Sequence, residues 1–463
     1  MQEEEVPKNL QAPSPGFHAV NPLAAGVLKR NGVKSWTKPA PSLYPHQWSW
    51  DSAFIALGLA HVDNRRATDE LEALFSAQWK TGKVPHIVFD PEAPPKSYFP
   101  DAERWNSHGL SEHAPAEGPR TSGLCQPPVH AIAVRRIWET AREKDERRQE
   151  NARRFLGENY PRLLSWHRYL ATARDPEGSG LVTIYHPWES GTDNSPRWDT
   201  PLEKVSIGDV PTYTRRDVQH VADASHRPTD EEYDRFLWLL ELLKRARYEE
   251  ADIYGSHPFL VKDVLFSAIL VAANEALLEI HAAVDGPDED RATIEGWIER
   301  GKEGIERQWD ENLGLCLDRD VISGDPLRVR TVAGFAPLVS GGLERTRLAD
   351  MLRTLDSPNF AGNPDLHRPL PPSTAPEEPG FHPRSYWRGP VWPVATWLLW
   401  WSLIRAGEPE RAASLRHHTL EELAESSFAE YFEPFTGEPL GSSEQSWTAA
   451  VALDMLASGD EGS

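Results

Sequence analysis

The chain has 463 residues, with 71 acidic against 49 basic side chains and a formal net charge of −22. So acidic a chain is not expected to bind nucleic acid or an anionic membrane, because both call for clustered positive charge. A hydrophobic content of 39% supplies a core and excludes wholesale disorder, while Cys125 and Cys316 stand in no CxxC pair or metal-ligand pattern, so neither a disulfide framework nor a metal site is expected.

Residues 1–40 are polar and proline-punctuated and read as a loosely attached N-terminal arm. Their acidic start is no secretory signal, and the apolar run at 394–404 is too short to span a bilayer, which makes a cytoplasmic location the expectation. Tyr44-Pro45-His46-Gln47-Trp48-Ser49-Trp50-Asp51 then leads into an alanine- and leucine-rich helix. Asp51 at its entrance is suited to capping free N–H groups or to accepting hydrogen bonds from sugar hydroxyls. Helix continues over 66–80, but 81–125 does not read as helix. It holds seven prolines among Tyr98, Phe99 and Trp105, and so long a loop with aromatics suggests a lid over a pocket.

Gln126-Pro127-Pro128-Val129-His130 opens the next helix, with prolines where a missing N–H costs little. Helical spacing runs to about 173, with a break near Asn151, and His130 reads as a packed histidine. Residues 199–228 are irregular and polar. Helical periodicity returns at 232–247, 259–284 and 292–307, and 313–332 reads as short strands and turns. Residues 343–355 are helical, and 356–385 form a second proline-rich stretch, which reads as another lid loop. Helices end the chain near 397–403, 409–425 and 445–456. Ten to twelve helices, few strands and long recurrent loops predict an all-α toroid of paired helices rather than a solenoid, with its loops gathered at one end. One domain is expected over 41–458.

The chemistry concentrates in Trp188-Glu189-Ser190-Gly191-Thr192-Asp193-Asn194-Ser195-Pro196-Arg197-Trp198. A carboxyl group beside indole faces loses water, which raises its pKa and lets it act as an acid near neutral pH. Asp193 fits that description, though an aspartate there can equally cap the next segment. Tryptophan is also a platform for the apolar face of a sugar, and the chain carries 18 of them. A partner carboxylate is sought in Phe428-Ala429-Glu430-Tyr431-Phe432-Glu433-Pro434-Phe435-Thr436-Gly437-Glu438. Glu430 lies between aromatics and is preferred; Glu433 and Glu438 read as solvated turn residues. Two carboxylates with many tryptophans point to glycoside hydrolysis, in which one acid protonates the leaving oxygen and the other drives water, or itself, onto the anomeric carbon.

The 44–54 and 188–198 segments, Tyr386-Trp387-Arg388-Gly389-Pro390-Val391-Trp392, and Glu430-Tyr431 followed by Gln445-Ser446-Trp447-Thr448, taken in that order, resemble glycoside hydrolase family 63. The likeness covers roughly 40–456 and is greatest to the type that hydrolyses mannosylglycerate and glucosylglycerate. It implies an inverting enzyme on an (α/α)6 toroid, needing no organic cofactor, with Asp193 as general acid and Glu430 as general base. Their carboxyl groups would stand about 6.5–9.5 Å apart. It places Trp48, Trp50, Asp51, Gln126, Trp188 and Trp392 around the sugar, and Tyr44, Tyr98, Arg227, Tyr233, Tyr386, Trp387 and Gln445 around the glycerate or the catalytic water.

A glycerate carboxylate in an acidic protein needs a dedicated donor. Arg227, in Ser225-His226-Arg227-Pro228, is suited to grip it in two places; Arg197 competes for that role, or orients Asp193 or a neighbouring loop. The expected partner is thus a small anionic glycoside. Alternatives are an α-glucosidase or trehalase acting on a neutral disaccharide, a histidine-based epimerase, or a non-catalytic sugar-binding toroid. The sequence carries no signal of oligomeric state, and a homo-oligomer is compatible with it.

Overall fold

Segments such as Ser49–Val62, Val264–Ala283, Pro393–Arg405 and Ser446–Ala457 are apolar around nearly their whole circumference. A helix of that kind must be covered on all sides. The computed structural model describes residues 17–216 and 227–458, and there these segments form the interior. Ser49–Val62 packs on His130–Arg142, which packs on Val264–Ala283. The succession continues through the short Ala336–Ser340 helix, Pro393–Arg405 and Ser446–Ala457, which returns to Ser49–Val62. At that last crossing Gly58 lets the two backbones close: a Cβ there would lie 2.4 Å from Ala450 Cα.

Helices with one apolar face cover this succession from outside. Asn64–Phe75 lies on Ser49–Val62, Glu146–Thr172 on His130–Arg142, Asp288–Glu306 on Val264–Ala283, and Pro409–Glu425 on Pro393–Arg405. Arg345–Leu355 and Asp230–Arg245 complete the long helices after the first one. Strands among the described residues are two residues long; the largest sheet sets Val261–Lys262 between Thr183–Ile184 and Arg319–Asp320. Val264–Ala283 is long and apolar enough to cross a bilayer, a longer candidate than the 394–404 run, but 83% of its apolar window is buried within the fold.

Several expectations are corrected. The arm is not loose over its described part. Phe17–Asn31 is a helix that buries Phe17, Val20, Ala24, Val27 and Leu28 against Ser446–Ala457 and Pro409–Glu425. Asn31 Nδ2 then donates to Ser446 Oγ at 2.9 Å; residues 1–16 lie outside the described residues. The helix break falls before Glu146, not at Asn151, because the Asp145 side chain accepts from Arg148 N and caps the start. The helix expected from 259 begins at Val264, where Asp263 accepts from Phe266 N at 2.9 Å. Residues 199–203 are a short helix, and 217–226 lie outside the described residues.

The 81–125 stretch is not structureless. Its two limbs pair through His86 N to Leu124 O and Phe89 N to Arg120 O, and it carries short helices at Ala102–Trp105 and Ser107–Leu110. The 356–385 stretch is tied to the body by His367 N to Pro434 O and Ala375 N to Arg330 O.

Candidate active site

The helix entrances and the loops between them converge on one cavity enclosing about 920 Å³ of empty space, its mouth included. Tyr44, Trp48, Trp50, Asp51, Tyr98, Gln126, Trp188, Asp193, Arg227, Tyr233, Tyr386, Glu430 and Gln445 all line it. Residues nearly 400 positions apart in sequence therefore meet there.

Local sequence explains how Asp193 is presented. Pro187 opens a 3-10 turn over Pro187–Ser190, the His186 ring accepts from Trp188 N at 3.1 Å, and Gly191 ends the turn at φ 72°. A second 3-10 turn follows at Pro196–Trp198. Asp193 sits on the bend between them, part of its surface open and lining the cavity. Thr192 is clamped: Arg197 Nη2 donates to its Oγ1 at 2.8 Å, and Trp198 Nε1 donates to its carbonyl at 3.0 Å. Arg197 also donates to Asp318 Oδ2 at 2.7 Å and is buried away from the cavity, so of its two expected roles it holds the loop.

The two acids of this stretch live in opposite settings. Glu189 is fully buried and accepts from Arg174, Tyr185 N and Cys125 N. Burial alone would raise its pKa, but Arg174 outweighs burial and holds it down to about 2. Asp193 has no such ion-pair partner among the described residues. Burial pushes its carboxyl up to about 7, with Glu430 adding to the rise and Arg227 opposing it.

Glu430 arrives from the other end of the chain, just before the Tyr431–Phe432 strand that pairs with Pro439–Leu440. Tyr44 OH donates to its Oε1 at 2.7 Å and Tyr386 OH at 3.4 Å, while Ser442 N donates to Oε2 at 3.0 Å. These donors fix the direction of the carboxyl group. Arg227 lies beside them, its guanidinium 4.7 Å from the Tyr386 ring and Nη2 donating to Tyr44 OH at 3.4 Å. Burial opposes the Arg227 charge, but Tyr44, Tyr386 and Glu430 outweigh it and push its pKa up.

Asp51 is not the helix cap. Trp48 holds that position without a side-chain bond, and Asp51 falls in the first turn, lining the cavity. Burial, then Glu430, drives its pKa well above the carboxylate range. Trp48 meets Tyr44 and Tyr98 edge-on, and Trp188 packs on His186 and Phe236. Tyr233 OH donates to Phe99 O at 3.2 Å, tying its helix to the 81–125 loop. Gln445 accepts from Ser442 Oγ.

Two expected contacts are not brought to the cavity. Trp387 and Trp392 stack face to face at 3.9 Å behind Tyr386, and neither lines the cavity. They carry the Tyr386 loop: Trp392 Nε1 donates to Tyr386 O at 3.1 Å. The 356–385 stretch likewise supplies no lining residue, whereas 81–125 supplies His86, Ser97, Tyr98 and Phe99. Glu433 is not solvated. It is buried and accepts from Phe435 N and Thr436 N, closing its own turn, while Glu438 is exposed and paired with Arg384. His130 is packed as expected, its Nε2 against Ser49 Oγ at 3.1 Å.

The sequence reading also missed cavity residues. His86, whose Nδ1 meets Ser122 Oγ at 3.0 Å, is pushed down to about 3 by burial and is neutral. A histidine after a proline inside an aromatic loop was the available signal. Arg216 and Trp447 also line the cavity.

The model of the mannosylglycerate hydrolase MGH1-like glycoside hydrolase domain matches residues 44–448. A glucosylglycerate hydrolase of Mycolicibacterium hassiacum is 47% identical over 94% of this chain and 96% of its own. The crystal structure of family 63 mannosylglycerate hydrolase from Thermus thermophilus with Tris and D-glycerate is 40% identical. It superposes with a TM-score of 0.85 over 94% of this chain and 99% of that one. The same enzyme in complex with glucose gives a TM-score of 0.82 at 40% identity, with the same coverage of 94% and 99%.

Proposed function

Because the chain belongs to the mannosylglycerate hydrolase MGH1-like glycoside hydrolases of family 63, we propose that it hydrolyses glucosylglycerate or mannosylglycerate to glycerate and the free hexose. The observation that carries the reading is the pairing of Asp193 and Glu430 in one cavity with Arg227 beside them. The relatives bear the same stamp: one is a glucosylglycerate hydrolase, and another was crystallised with D-glycerate and with glucose.

The closed succession of six helices, covered by an outer set, supports the (α/α)6 toroid. In it Asp193, protonated near neutral pH, gives its proton to the glycosidic oxygen as the C1–O bond breaks, and glycerate leaves with that proton. Glu430, aimed by Tyr44, Tyr386 and Ser442, takes a proton from a water molecule that attacks C1 from the opposite face. The product is the inverted hexose. The proton taken by Glu430 returns through solvent and Asp193 is reprotonated. Trp48, Trp50, Asp51, Gln126 and Trp188 hold the sugar, and Arg227 with Tyr98, Tyr233 and Gln445 receives the glycerate. An anionic leaving group would meet in Arg227 a buried cation within a cavity that also holds three carboxyl groups.

Incubation with each glycosylglycerate, followed by proton NMR of the first anomer released, tests this. Release of β-hexose from the α-glycoside is expected. Release of the α-anomer, or turnover of trehalose or kojibiose in preference to both glycosylglycerates, would overturn it.

A further inference from the structure

Asn194 follows Asp193 in the chain, is buried, and does not line the cavity. Its Oδ1 accepts from Trp387 N at 2.8 Å, its Nδ2 donates to Ser385 Oγ at 3.4 Å, and its carbonyl accepts from Arg388 Nη1 at 3.2 Å. One residue thus holds the Ser385–Arg388 turn by three of its polar atoms.

That turn contains Tyr386 at φ 44°, the left-handed region. An aromatic residue stays there only when its surroundings over-determine it. The conformation is what brings the ring beneath Arg227 and the hydroxyl to Glu430. It also turns the next amide, Trp387 N–H, into the buried interior. There the Asn194 side chain receives it, and a buried N–H without a partner is costly. Tyr386 is also held by the Trp392 indole N–H at its carbonyl and by the Tyr44 hydroxyl at 3.2 Å from its own.

We infer that Asn194 is a positioning residue that joins the two halves of the catalytic machinery, holding Tyr386 in its left-handed conformation so that its hydroxyl aims Glu430, from the same loop that presents Asp193. Asn194 touches neither substrate nor reacting atoms. It acts through Trp387 N–H and Tyr386. The inference rests on the roles proposed for Asp193 and Glu430.

The test is a crystal structure of Asn194→Ala together with a kinetic cycle of Asn194→Ala, Tyr386→Phe and the double variant on glucosylglycerate and mannosylglycerate. Tyr386 is expected to leave the left-handed region and its hydroxyl to leave Glu430. kcat should fall about 30-fold or more, and Tyr386→Phe should lower the Asn194→Ala enzyme by less than about threefold further, since contacts acting as one unit are not additive. A Tyr386 unmoved in the crystal overturns the inference, and so do two losses that multiply in full. If Asn194→Ala does not fold, Asn194→Ser is read in the same way, its hydroxyl being too short to reach Trp387 N. A wild-type enzyme inert on both substrates would overturn the proposed function instead, and the crystal structure would still decide whether Asn194 holds Tyr386.

Discussion

Arg174 grips Glu189 with both ends of its guanidinium, Nη1 at 2.8 Å from Oε2 and Nη2 at 2.5 Å from Oε1. Both side chains are buried, and the pair anchors the turn that carries Trp188 toward the cavity and Asp193 beyond it. Removing one partner leaves the other charge buried and alone, which costs about 3–5 kcal/mol. Glu189→Gln should therefore lower the urea midpoint sharply. The pH dependence has a definite sign. Glu189 is depressed to about 2 from its ordinary 4.5, so its contribution is present above about pH 4.5 and is lost as pH falls toward 2. The gap in urea stability between wild type and Glu189→Gln should narrow over that range. A constant gap would deny the ion pair its role.

Asp193 has the opposite sign. Its folded-state pKa is raised to about 7, so the folded protein binds the extra proton and stability falls as pH rises from about 4 through 7. Asp193→Asn removes that burden and should raise the melting temperature at pH 7.5 by about 2–4 °C. It should also abolish nearly all turnover, by about 10³-fold or more, since the leaving oxygen loses its acid. In the wild type the alkaline limb of the pH–rate profile should fall as pH rises through about 7, where Asp193 loses its proton. Calorimetry and a pH profile of kcat/KM, which reports groups of the free enzyme, together check the point. A less stable Asp193→Asn variant, or activity that persists well above pH 8, would contradict it.

What the sequence could and could not say follows from range. Asp193 was legible because its signal, an acid on a glycine- and proline-bounded bend between tryptophans, lies within one short segment. Glu430 was legible from its flanking aromatics. Trp387 and Trp392 were not, because indole content says that a cavity is near but not which ring faces it. Only the 3.9 Å stack shows that these two support Tyr386 from behind. His86 needed the pairing of the 81–125 limbs, a contact between residues far apart in the loop. The docked first helix had a readable signal in Phe17, Val20, Ala24, Val27 and Leu28, at spacings of three and four. The proline punctuation of 1–40 suggested a loose arm instead, yet Pro22 lies inside the helix.

Arg227 is buried beside Tyr44 and Tyr386 and lines the cavity. A charge-assisted contact to the glycerate carboxylate is worth about 1.5–3 kcal/mol. Arg227→Ala should raise KM for glucosylglycerate about 10- to 100-fold and hardly change it for a neutral glucoside such as kojibiose. kcat should fall for both, because Tyr44, which Arg227 orients, donates to Glu430. Equal rises in KM for charged and neutral substrates would rule out a carboxylate clamp.

Gly441 gives the most local test of Glu430. It lies at φ 73°, and a Cβ there would stand 2.5 Å from Glu430 Oε2 and as close to the Tyr431 ring. Alanine must therefore push the Glu430 carboxyl off the Ser442 N–H that holds it. A shift of about 1 Å in a reacting group costs on the order of 10²-fold in rate. Gly441→Ala should thus lower kcat about 100-fold. The groups proposed to hold the sugar, Trp48, Asp51 and Trp188, lie on other elements, so KM should move by less than about threefold. Denaturation alongside the kinetics separates this from unfolding. A folded Gly441→Ala enzyme with wild-type kcat would mean that the placement of Glu430 does not limit the reaction.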